Sequence, residues 1–233
     1  MKVLGIDTTG YANAVGIIDG DKVLADACTE ARSDSLVKII ADIDRTLKSA
    51  GLALKDIDGF GIGLGPGSWT GIRIGVTVGK MLAYSTGRPA GGVPTLEALA
   101  GGVQAGDRLI CPVIPAGAAD TLYAALYRHH DGRLDRQGEY YVGGLEGLSR
   151  TLKQSVLVTG PGAGRYAARL KEFLGTSFPL EHFESGPRGT VIARLAAQRL
   201  ARGESDVTLS LSPLYLKEST ARAFQSSGVK GLP

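Results

Sequence analysis

The hydrophobic and polar positions at the start of the chain follow two different periods. Residues 3–30 contain short apolar and alternating runs typical of β-strands, with Asp19, Gly20 and Asp21 supplying a hairpin turn. From residue 33 onward, apolar residues recur at helical spacing until Gly51 ends the pattern. The pattern therefore predicts three strands and an amphipathic helix, at Val3–Ile6, Ala12–Ile18, Lys22–Thr29 and Ser35–Ala50.

The next fifty residues alternate between strand and helix patterns. A buried strand leads into a glycine-rich turn at Gly65–Trp69 and then into a long helix that Gly87 ends. A second apolar strand and a further helix from Thr95 complete the order βββαβαβα. The predicted bounds of the two strands and the long helix are Gly59–Leu64, Ala90–Val93 and Thr70–Thr86.

After Gly106 a similar order of elements begins again, with little sequence identity. We expect strands at Arg108–Ile114 and Thr121–Tyr127, a turn at His129–Arg133 and a third strand that ends at Val142. A helix at Leu145–Leu152 and a strand at Val156–Thr159 follow. Two more helices are predicted, at Tyr166–Leu174 and Val191–Ala201. The sequence therefore predicts an α/β protein of two lobes, residues 1–104 and 105–233, each with βββαβα order. This order resembles the actin-like (RNase H-like) folds of actin and sugar kinases, which bind nucleotide phosphates between their halves.

Composition and charge exclude several classes of protein. With 43% hydrophobic and 21% charged residues among 233, the chain is not disordered, and its formal net charge of +3 permits contact with nucleic acid without predicting it. Only two cysteines occur, so no disulfide framework is expected and a reducing, cytoplasmic location is predicted. Asp7 interrupts any signal-peptide core, and charges within the apolar segment Ile72–Tyr84 argue against a membrane span.

Glycine is enriched, with 34 residues against a usual share of roughly 7%. The segment Gly63–Gly75 joins a strand to a helix, where consecutive backbone N–H groups could cradle an anion. A tight turn explains the same glycines without a ligand, and a P-loop is excluded because no Gly-Lys-Ser/Thr sequence ends the segment. The candidate nucleotide-binding residues lie in two loops: Asp7, Thr8 and Thr9, and Gly65, Gly67 and Ser68.

Three glycines recur every four residues in the long predicted helix, at Gly71, Gly75 and Gly79. They form a bare row, and each costs about 0.8–1.0 kcal/mol relative to alanine, so close packing must compensate. Either another part of the chain or a partner's helix could lie on this row. The amphipathic helix that carries Leu36 and Ile40 is its neighbour, so both helices are candidates for an interface, as half of a helical bundle completed by a partner or a second copy.

Three sequence segments resemble the TsaB family, also called YeaZ: GIDTTG from Gly5, GLGPGSWTGIRIGVTVGKMLAYSTGRPAGGVPTLEALA from Gly63, and PLYLK from Pro213. The resemblance implies an actin-like fold, a homodimer when the chain is alone, and partnership with TsaD and the ATPase TsaE. Together these proteins make threonylcarbamoyladenosine at position 37 of tRNAs that decode ANN codons. The implied role is a non-catalytic accessory subunit that scaffolds the enzyme, needs no cofactor of its own, and meets ATP and tRNA in the complex.

The metal site of the catalytic paralogue has no counterpart in the sequence. TsaD carries an HxxxH pair where this chain has Thr95 and Leu99. A leucine has no donor atom and a lone threonine hydroxyl is a poor ligand for a transition metal, so no metal is expected here.

The predicted repeat also lacks one carboxylate. Actin-like phosphotransferases place a loop carboxylate after the first strand, where this chain has Asp7, but the equivalent position in the second lobe is Pro115, followed by Ala116 and Gly117. Relatives often have Asp-Ala-Arg there, and a shifted alignment would bring Asp120 to this position. An actin-like ATPase or kinase, and a peptidase, which is the older label of the superfamily, stay as alternative functions.

Overall fold

Two β-sheets organise the described part of the chain. The computed structural model describes residues 1–10, 12–30, 35–117, 120–130, 132–152, 156–174, 188–206 and 210–217, and only the backbone of residues 35–37 and 174. The predicted α/β class and the repeated βββαβα order are both confirmed.

The first sheet has the strand order β3-β2-β1-β4-β5. Its strands are β1 (Lys2–Asp7), β2 (Ala12–Asp19), β3 (Lys22–Glu30), β4 (Gly59–Gly63) and β5 (Ala90–Val93). β1 runs antiparallel to β2 and parallel to β4. The associated helices are α1 (Ser35–Ser49), α2 (Trp69–Thr86) and α3 (Thr95–Gly101), and a short 3₁₀ turn occupies Leu54–Asp56. These bounds agree with the sequence prediction to within one residue wherever it set a limit.

The second sheet repeats the first without its fifth strand, in the order β8-β7-β6-β9. Its strands are β6 (Leu109–Pro115), β7 (Thr121–His130), β8 (Arg133–Gly144) and β9 (Val156–Thr159). Its helices are α4 (Leu145–Thr151), α5 (Pro161–Arg165) and α6 (Ala167–Leu174), and α7 (Gly189–Ala201) follows them in the chain. None of the helices in the described ranges has the length and apolar character that crossing a membrane requires.

One predicted element in the second half is wrong, and one short helix was not predicted. His129 and His130 do not begin a turn, because they continue β7 and pair with Leu134 and Arg133 of β8. The predicted helix Tyr166–Leu174 corresponds to α6, which begins one residue later. The short helix α5 before it was not predicted, although proline is well tolerated in the first turn of a helix.

One face of each sheet is covered by helices of its own half. Leu4 and Ile6 of β1 pack with residues of α1 and α2 in the first core cluster. Cys111 and Val113 of β6 pack with residues of α4 and α6 in the second. Successive side chains of a strand point to opposite faces, so the intervening residues need a different cover.

The remaining face of each sheet is covered by a helix from the other half. α3 follows β5 in the chain but packs on β6, β7 and β8, where Leu96 and Leu99 contact the cluster that contains Ile110 and Ile114. α7 belongs to the second half of the chain but packs across β1, β2, β4 and β5. The two helices also contact each other between the sheets. We call α3 and α7 the exchanged helices, and the division of the chain into lobes at residue 104 stays a prediction.

A row of glycines crosses the first sheet beneath α7. Gly16, Gly5, Gly61 and Gly91 lie on four adjacent strands, each opposite the next in register. A Cβ atom at Gly5 would overlap the carbonyl oxygen of Gly189, and one at Gly61 would lie 2.9 Å from the Ala196 Cβ. These four residues are called the sheet glycines below. Gly16, Gly5 and Gly61 let the backbone of α7 lie directly on the strands, whereas a Cβ at Gly91 would make only an ordinary contact with Ala196 at 3.4 Å. Part of the glycine excess is explained by this contact.

Candidate functional site

The two candidate loops meet at the end of β1. Asp7 is the last residue of β1, and Thr8 and Thr9 follow it. Gly65, Gly67 and Ser68 lie between β4 and α2, next to the start of α3. The parallel pairing of β1 with β4 brings both loops to the same edge of the first sheet. The structure thus brings together the residues that the sequence selected as candidate nucleotide loops.

Asp7 is buried and faces inward. Its side chain is 1% exposed, and its Oδ1 accepts hydrogen bonds from the Thr9 backbone nitrogen at 3.0 Å and from the Thr9 hydroxyl at 2.8 Å. Among the described residues Oδ2 has no hydrogen-bonding partner, and a Cβ at Gly63 would overlap it. Burial raises the pKa of Asp7 to about 6, although the bonds from Thr9 oppose the shift. A carboxylate held in this way is not presented to a hydrated cation in the cleft.

The two loops are bound to each other. The Ser68 backbone nitrogen donates to the Thr9 carbonyl oxygen at 2.7 Å, and the Thr8 hydroxyl donates to the Gly71 carbonyl oxygen at 2.6 Å. A Cβ at Gly67 would overlap the Thr9 carbonyl oxygen, so this glycine permits a close approach of the loops. These contacts match the alternative in which the glycines serve chain packing.

The start of α2 has already used part of its capacity to bind an anion. Ser68 is its N-cap, and its hydroxyl oxygen accepts a hydrogen bond from the Gly71 backbone nitrogen at 3.2 Å. The Ser68 nitrogen is bound to Thr9, as described above. Since an anion site at a helix N-terminus needs free backbone N–H groups, these two donors are not available to a phosphate.

The second sheet offers no carboxylate at the matching strand end. Pro115 ends β6 as Asp7 ends β1, but the two side chains lie on different faces of their sheets. The predicted equivalence of Pro115 with Asp7 is therefore wrong. Asp7 shares the face of Gly5 beneath α7, whereas Pro115 shares the face of Val113, which packs with α4 and α6. Ile114 occupies the face that corresponds to Asp7 and is buried against α3.

Asp120 does not replace the missing carboxylate. Its side chain is 64% exposed, and its Oδ2 forms an ion pair with Arg169 of α6 at 2.7 Å. Ala116 donates its backbone nitrogen to the Thr121 carbonyl oxygen, and Gly117 has a positive φ of 82°. Neither Ala116 nor Gly117 carries a side chain that could take the part of the missing carboxylate.

Thr95 and Leu99 are used in hydrogen bonding and core packing within the chain. The Thr95 backbone nitrogen donates to Gly65, and its hydroxyl donates to the Thr9 hydroxyl at 3.1 Å. Leu99 is 1% exposed and belongs to the core beneath the second sheet. In the described ranges, no group of three or more His, Cys, Asp or Glu side chains is placed to hold a metal ion.

The prediction that Gly71, Gly75 and Gly79 face a partner is wrong. A Cβ at Gly75 would overlap the Thr8 hydroxyl oxygen, and one at Gly79 would lie 2.6 Å from Ile62. These residues, called the helix glycines below, pack on the chain's own first sheet. The close packing that compensates for their low helix propensity is therefore internal.

The outer sides of α1 and α2 carry exposed apolar side chains. Ile40 is 51% exposed, as the prediction of an interface requires, and Met81 and Tyr84 of α2 are 61% and 67% exposed. The side chain of Leu36 lies outside the described residues. Sequence reasoning missed Met81 and Tyr84, although both stand opposite the helix glycines in the helical period and this signal was available.

The C-terminal segment binds along α2. Lys80 Nζ donates to the Leu211 carbonyl oxygen at 3.0 Å, and the Leu214 backbone nitrogen donates to Leu64 at 2.8 Å. The Tyr215 ring lies 4.2 Å from the Trp69 ring, with the Arg73 guanidinium 4.3 Å from the Trp69 ring centre. The PLYLK segment therefore lies against α2 beside the candidate loops.

Comparison with known proteins identifies the family. The family model described as TsaD, tRNA N6-adenosine threonylcarbamoyltransferase, matches residues 29–172. The tRNA threonylcarbamoyladenosine biosynthesis protein TsaB of Bacillus subtilis (strain 168) is 30% identical over 228 residues, which cover 96% of this chain and 97% of that protein. The chain belongs to the TsaB family.

Solved structures agree with the fold of this TsaB-family chain. YeaZ from Pseudomonas aeruginosa superposes with a TM-score of 0.78 at 24% identity, covering 92% of this chain and 99% of that one. The ROK hexokinase from Thermus thermophilus superposes with a TM-score of 0.51 at 16% identity, covering 87% of this chain and 100% of that one. The predicted actin-like fold is thereby confirmed.

Proposed function

We propose that this chain is a non-catalytic accessory subunit for the formation of threonylcarbamoyladenosine at position 37 of tRNAs that decode ANN codons, where it scaffolds TsaD and TsaE. The observation that carries the proposal is the similarity to the Bacillus subtilis TsaB protein through nearly the whole of both chains. The name of that protein places it in tRNA threonylcarbamoyladenosine biosynthesis. A cytoplasmic location, where tRNA is modified, is part of the proposal.

The cleft supports a role without catalysis. Phosphoryl transfer depends on metal ions that neutralise phosphate charge and on donors aimed at the phosphate. Here Asp7 is buried with its Oδ1 bound to Thr9, the N–H groups of Ser68 and Gly71 are bound within the chain, and Ile114 stands at the matching place in the second lobe. We therefore propose that the chain requires no cofactor and that ATP acts elsewhere in the complex.

The outer side of α1 and α2 supports a partner surface. Ile40, Met81 and Tyr84 are each more than half exposed, which is unusual for apolar side chains on adjacent helices. The two helices contact each other, so their exposed sides form one surface that two further helices would convert into a bundle. We propose TsaD as the occupant in the working complex and a second copy of the chain when TsaD is absent. Contact with tRNA then occurs through the complex.

A pair of matched variants tests the partner surface. Tyr84→Asp places a charge at the centre of the proposed contact and should weaken TsaD binding by roughly 10- to 100-fold, as loss of an aromatic hot spot does. Phe173→Asp on α6 is the control, since Phe173 is also an exposed aromatic residue on a helix, at 40% exposure. Calorimetric titration of TsaD into each variant gives the affinities. Equal affinities of the two variants would remove α2 from the interface.

A reconstituted reaction tests the accessory role. Modification of tRNA by TsaD and TsaE, supplied with ATP and a threonylcarbamoyl donor, should depend on the added chain. The highly purified chain alone should neither hydrolyse ATP nor phosphorylate a sugar nor cleave a peptide. Stoichiometric ATP turnover by the chain alone would favour the ATPase or kinase alternative. Hydrolysis of a peptide would favour the peptidase alternative.

A further inference from the structure

A cavity of about 260 Å³ lies between the exchanged helices and the β7–β8 hairpin, away from the candidate loops. Both halves of the chain contribute to its walls. The charged and polar side chains used in the argument are Glu97 of α3, Arg199 and Arg202 of α7, Tyr127 of β7, and Arg133 and Arg136 of β8.

Positive charge is in excess around this cavity. Its lining contains four arginines and three carboxylates, so the balance is +1. Arg199 Nη2 donates to both carboxylate oxygens of Glu97, at 2.7 and 2.6 Å, while Arg202 forms a forked pair with Glu204 through Nε and Nη2, at 2.7 and 2.9 Å. Each arginine is therefore paired with one carboxylate, so these four side chains contribute no net charge to the wall.

The charge that remains lies on β8. Arg133, Arg136 and Asp135 line the cavity, and within the described ranges none of the three makes an ion pair. The Arg136 guanidinium lies 4.0 Å from the centre of the Tyr140 ring, which orients it. Its charge also acts on the Glu97 carboxylate, which is already paired with Arg199. A planar guanidinium with free N–H groups is suited to bind a carboxylate or a phosphate group.

Tyr127 supplies a weakly engaged donor next to Arg136. The two residues are directly opposite in the β7–β8 pairing, so their side chains lie on the same face. Tyr127 is 1% exposed, and among the described residues its hydroxyl makes no hydrogen bond of ordinary geometry. The Tyr140 hydroxyl is its neighbouring acceptor, so a ligand atom would compete with Tyr140 for this donor. Burial raises the pKa of Tyr127 well above its usual range, so the hydroxyl keeps its proton at neutral pH. A buried donor without a hydrogen bond of ordinary geometry costs stability, and a ligand atom would remove that cost.

We propose that this cavity binds a small organic or inorganic anion through its carboxylate or phosphate group, with Arg136 supplying the charge and Tyr127 a hydrogen bond. The volume is below the roughly 300–1,000 Å³ of sites for drug-sized molecules, so the ligand has few heavy atoms. Because the walls come from α3, α7 and β7–β8, the bound anion joins the two halves of the chain. This site is separate from the proposed partner surface and does not depend on the proposed function.

Binding is tested with two probes, inorganic phosphate and succinate, at constant ionic strength set with chloride. Calorimetry of the full chain should give saturable binding of at least one probe at one site per chain, and the same probe should raise the melting temperature. Arg136→Gln should weaken binding at least tenfold, whereas Arg136→Lys should retain part of it. Tyr127→Phe should weaken binding severalfold, while the melting temperature of the free variant stays the same or rises.

Arg150→Gln is the matched control, because it removes the same charge from an exposed arginine of α4 that pairs with Glu146. It should bind the probes as the unchanged chain does. Saturable binding of phosphate alone identifies a phosphate ligand, and saturable binding of succinate alone identifies a carboxylate ligand. Absence of saturable binding by both probes, or equal weakening by Arg136→Gln and Arg150→Gln, would overturn the proposal.

Discussion

The two sheets receive the exchanged helices in different ways, although their strand orders correspond. On the first sheet the backbone of α7 lies on the strands at the sheet glycines, while Val3 and Ile18 on the same face pack against its side chains. On the second sheet α3 packs through Leu96 and Leu99 against Ile110 and Ile114. Where a helix backbone touches a strand backbone, the distance between helix and sheet is fixed and even one added carbon atom does not fit. Where side chains lie between helix and sheet, the distance is larger and different apolar side chains can fill it.

The cavity lies on the side of the second sheet. α7 lies on the strands of the first sheet, and the cavity is found where the exchanged helices meet the β7–β8 hairpin. It is lined by long polar side chains such as Arg136 and Arg199. The close backbone contact and the proposed ligand cavity are therefore on different sheets.

The largest expected effect is at Gly5. Gly5→Ala would place a Cβ on the Gly189 carbonyl oxygen and the Ala193 backbone nitrogen, so α7 must move, and the free energy of unfolding should fall by about 3 kcal/mol or more. Gly91→Ala is the control, because its Cβ would lie 3.4 Å from Ala196, an ordinary contact. Urea unfolding followed by circular dichroism measures both. Similar losses would contradict the difference between the two contacts.

The pH dependence of stability should also distinguish the end of β1, where Asp7 is buried, from the end of β6, where the nearby Asp120 is exposed. The pKa of Asp7 is raised from 3.8 to about 6 in the folded state, so between these values the folded chain binds more protons than the unfolded chain. Stability from this group is therefore present at acidic pH and is lost as pH rises from about 4 to 6, by about 3 kcal/mol in total.

Asp7→Asn should remove most of this pH dependence, measured as the free energy of unfolding at several pH values. Asp120→Asn, which changes an exposed carboxylate after β6, should leave it in place. If Asp120→Asn removed as much of the slope as Asp7→Asn, the buried carboxylate would not be its source.

A smaller effect is expected where α2 contacts the first sheet. Gly75→Ala would place a Cβ on the Thr8 hydroxyl oxygen and should cost roughly 1–3 kcal/mol of stability. The folded variant should bind TsaD with unchanged affinity, because the row faces inward. Thr77→Ala, at an exposed position of the same helix, is the control for both measurements. Weaker TsaD binding with an unchanged melting temperature would restore the partner role of the helix glycines.

The smallest effect is expected beneath the second sheet. Ile114→Val removes one methylene group from a contact made by side chains and should cost about 0.5–1.5 kcal/mol. The measurement is the same urea unfolding used for Gly5→Ala. A loss as large as that of Gly5→Ala would mean that both sheets are equally intolerant.

Local sequence patterns were sufficient for the elements of the first half. The helix α2 begins after Ser68 and ends at Gly87, which is a left-handed C-cap with a φ of 64°. Such signals act over a few residues, so they can be read without knowing what packs on the helix. The boundary of β7 was less accessible, because the pairing of His130 with Arg133 across the hairpin decides it.

The sequence predicted which residues form the candidate site, but it did not predict how they are arranged. The sequence selected Asp7, Thr9 and Ser68, and the structure brings them together. Whether they face a ligand or each other depends on distances between separate segments. The burial of Asp7 and the position of Ile114 on the matching face follow from the packing of α3 and α7, which are remote in sequence.

By itself, the sequence determined the order of strands and helices, the repeat and the family, because these depend on local periodicity and on short motifs such as GIDTTG and PLYLK. Only the tertiary structure decided what lies on the glycines. A glycine signals that another group comes close but has no side chain to indicate which group it is. The helix glycines pack on the chain's own strands, and the sheet glycines receive a helix about 170 to 190 residues away in sequence from Gly5 and Gly16. The local pattern thus identified the glycines as sites of close contact, and only long-range packing determined which groups contact them.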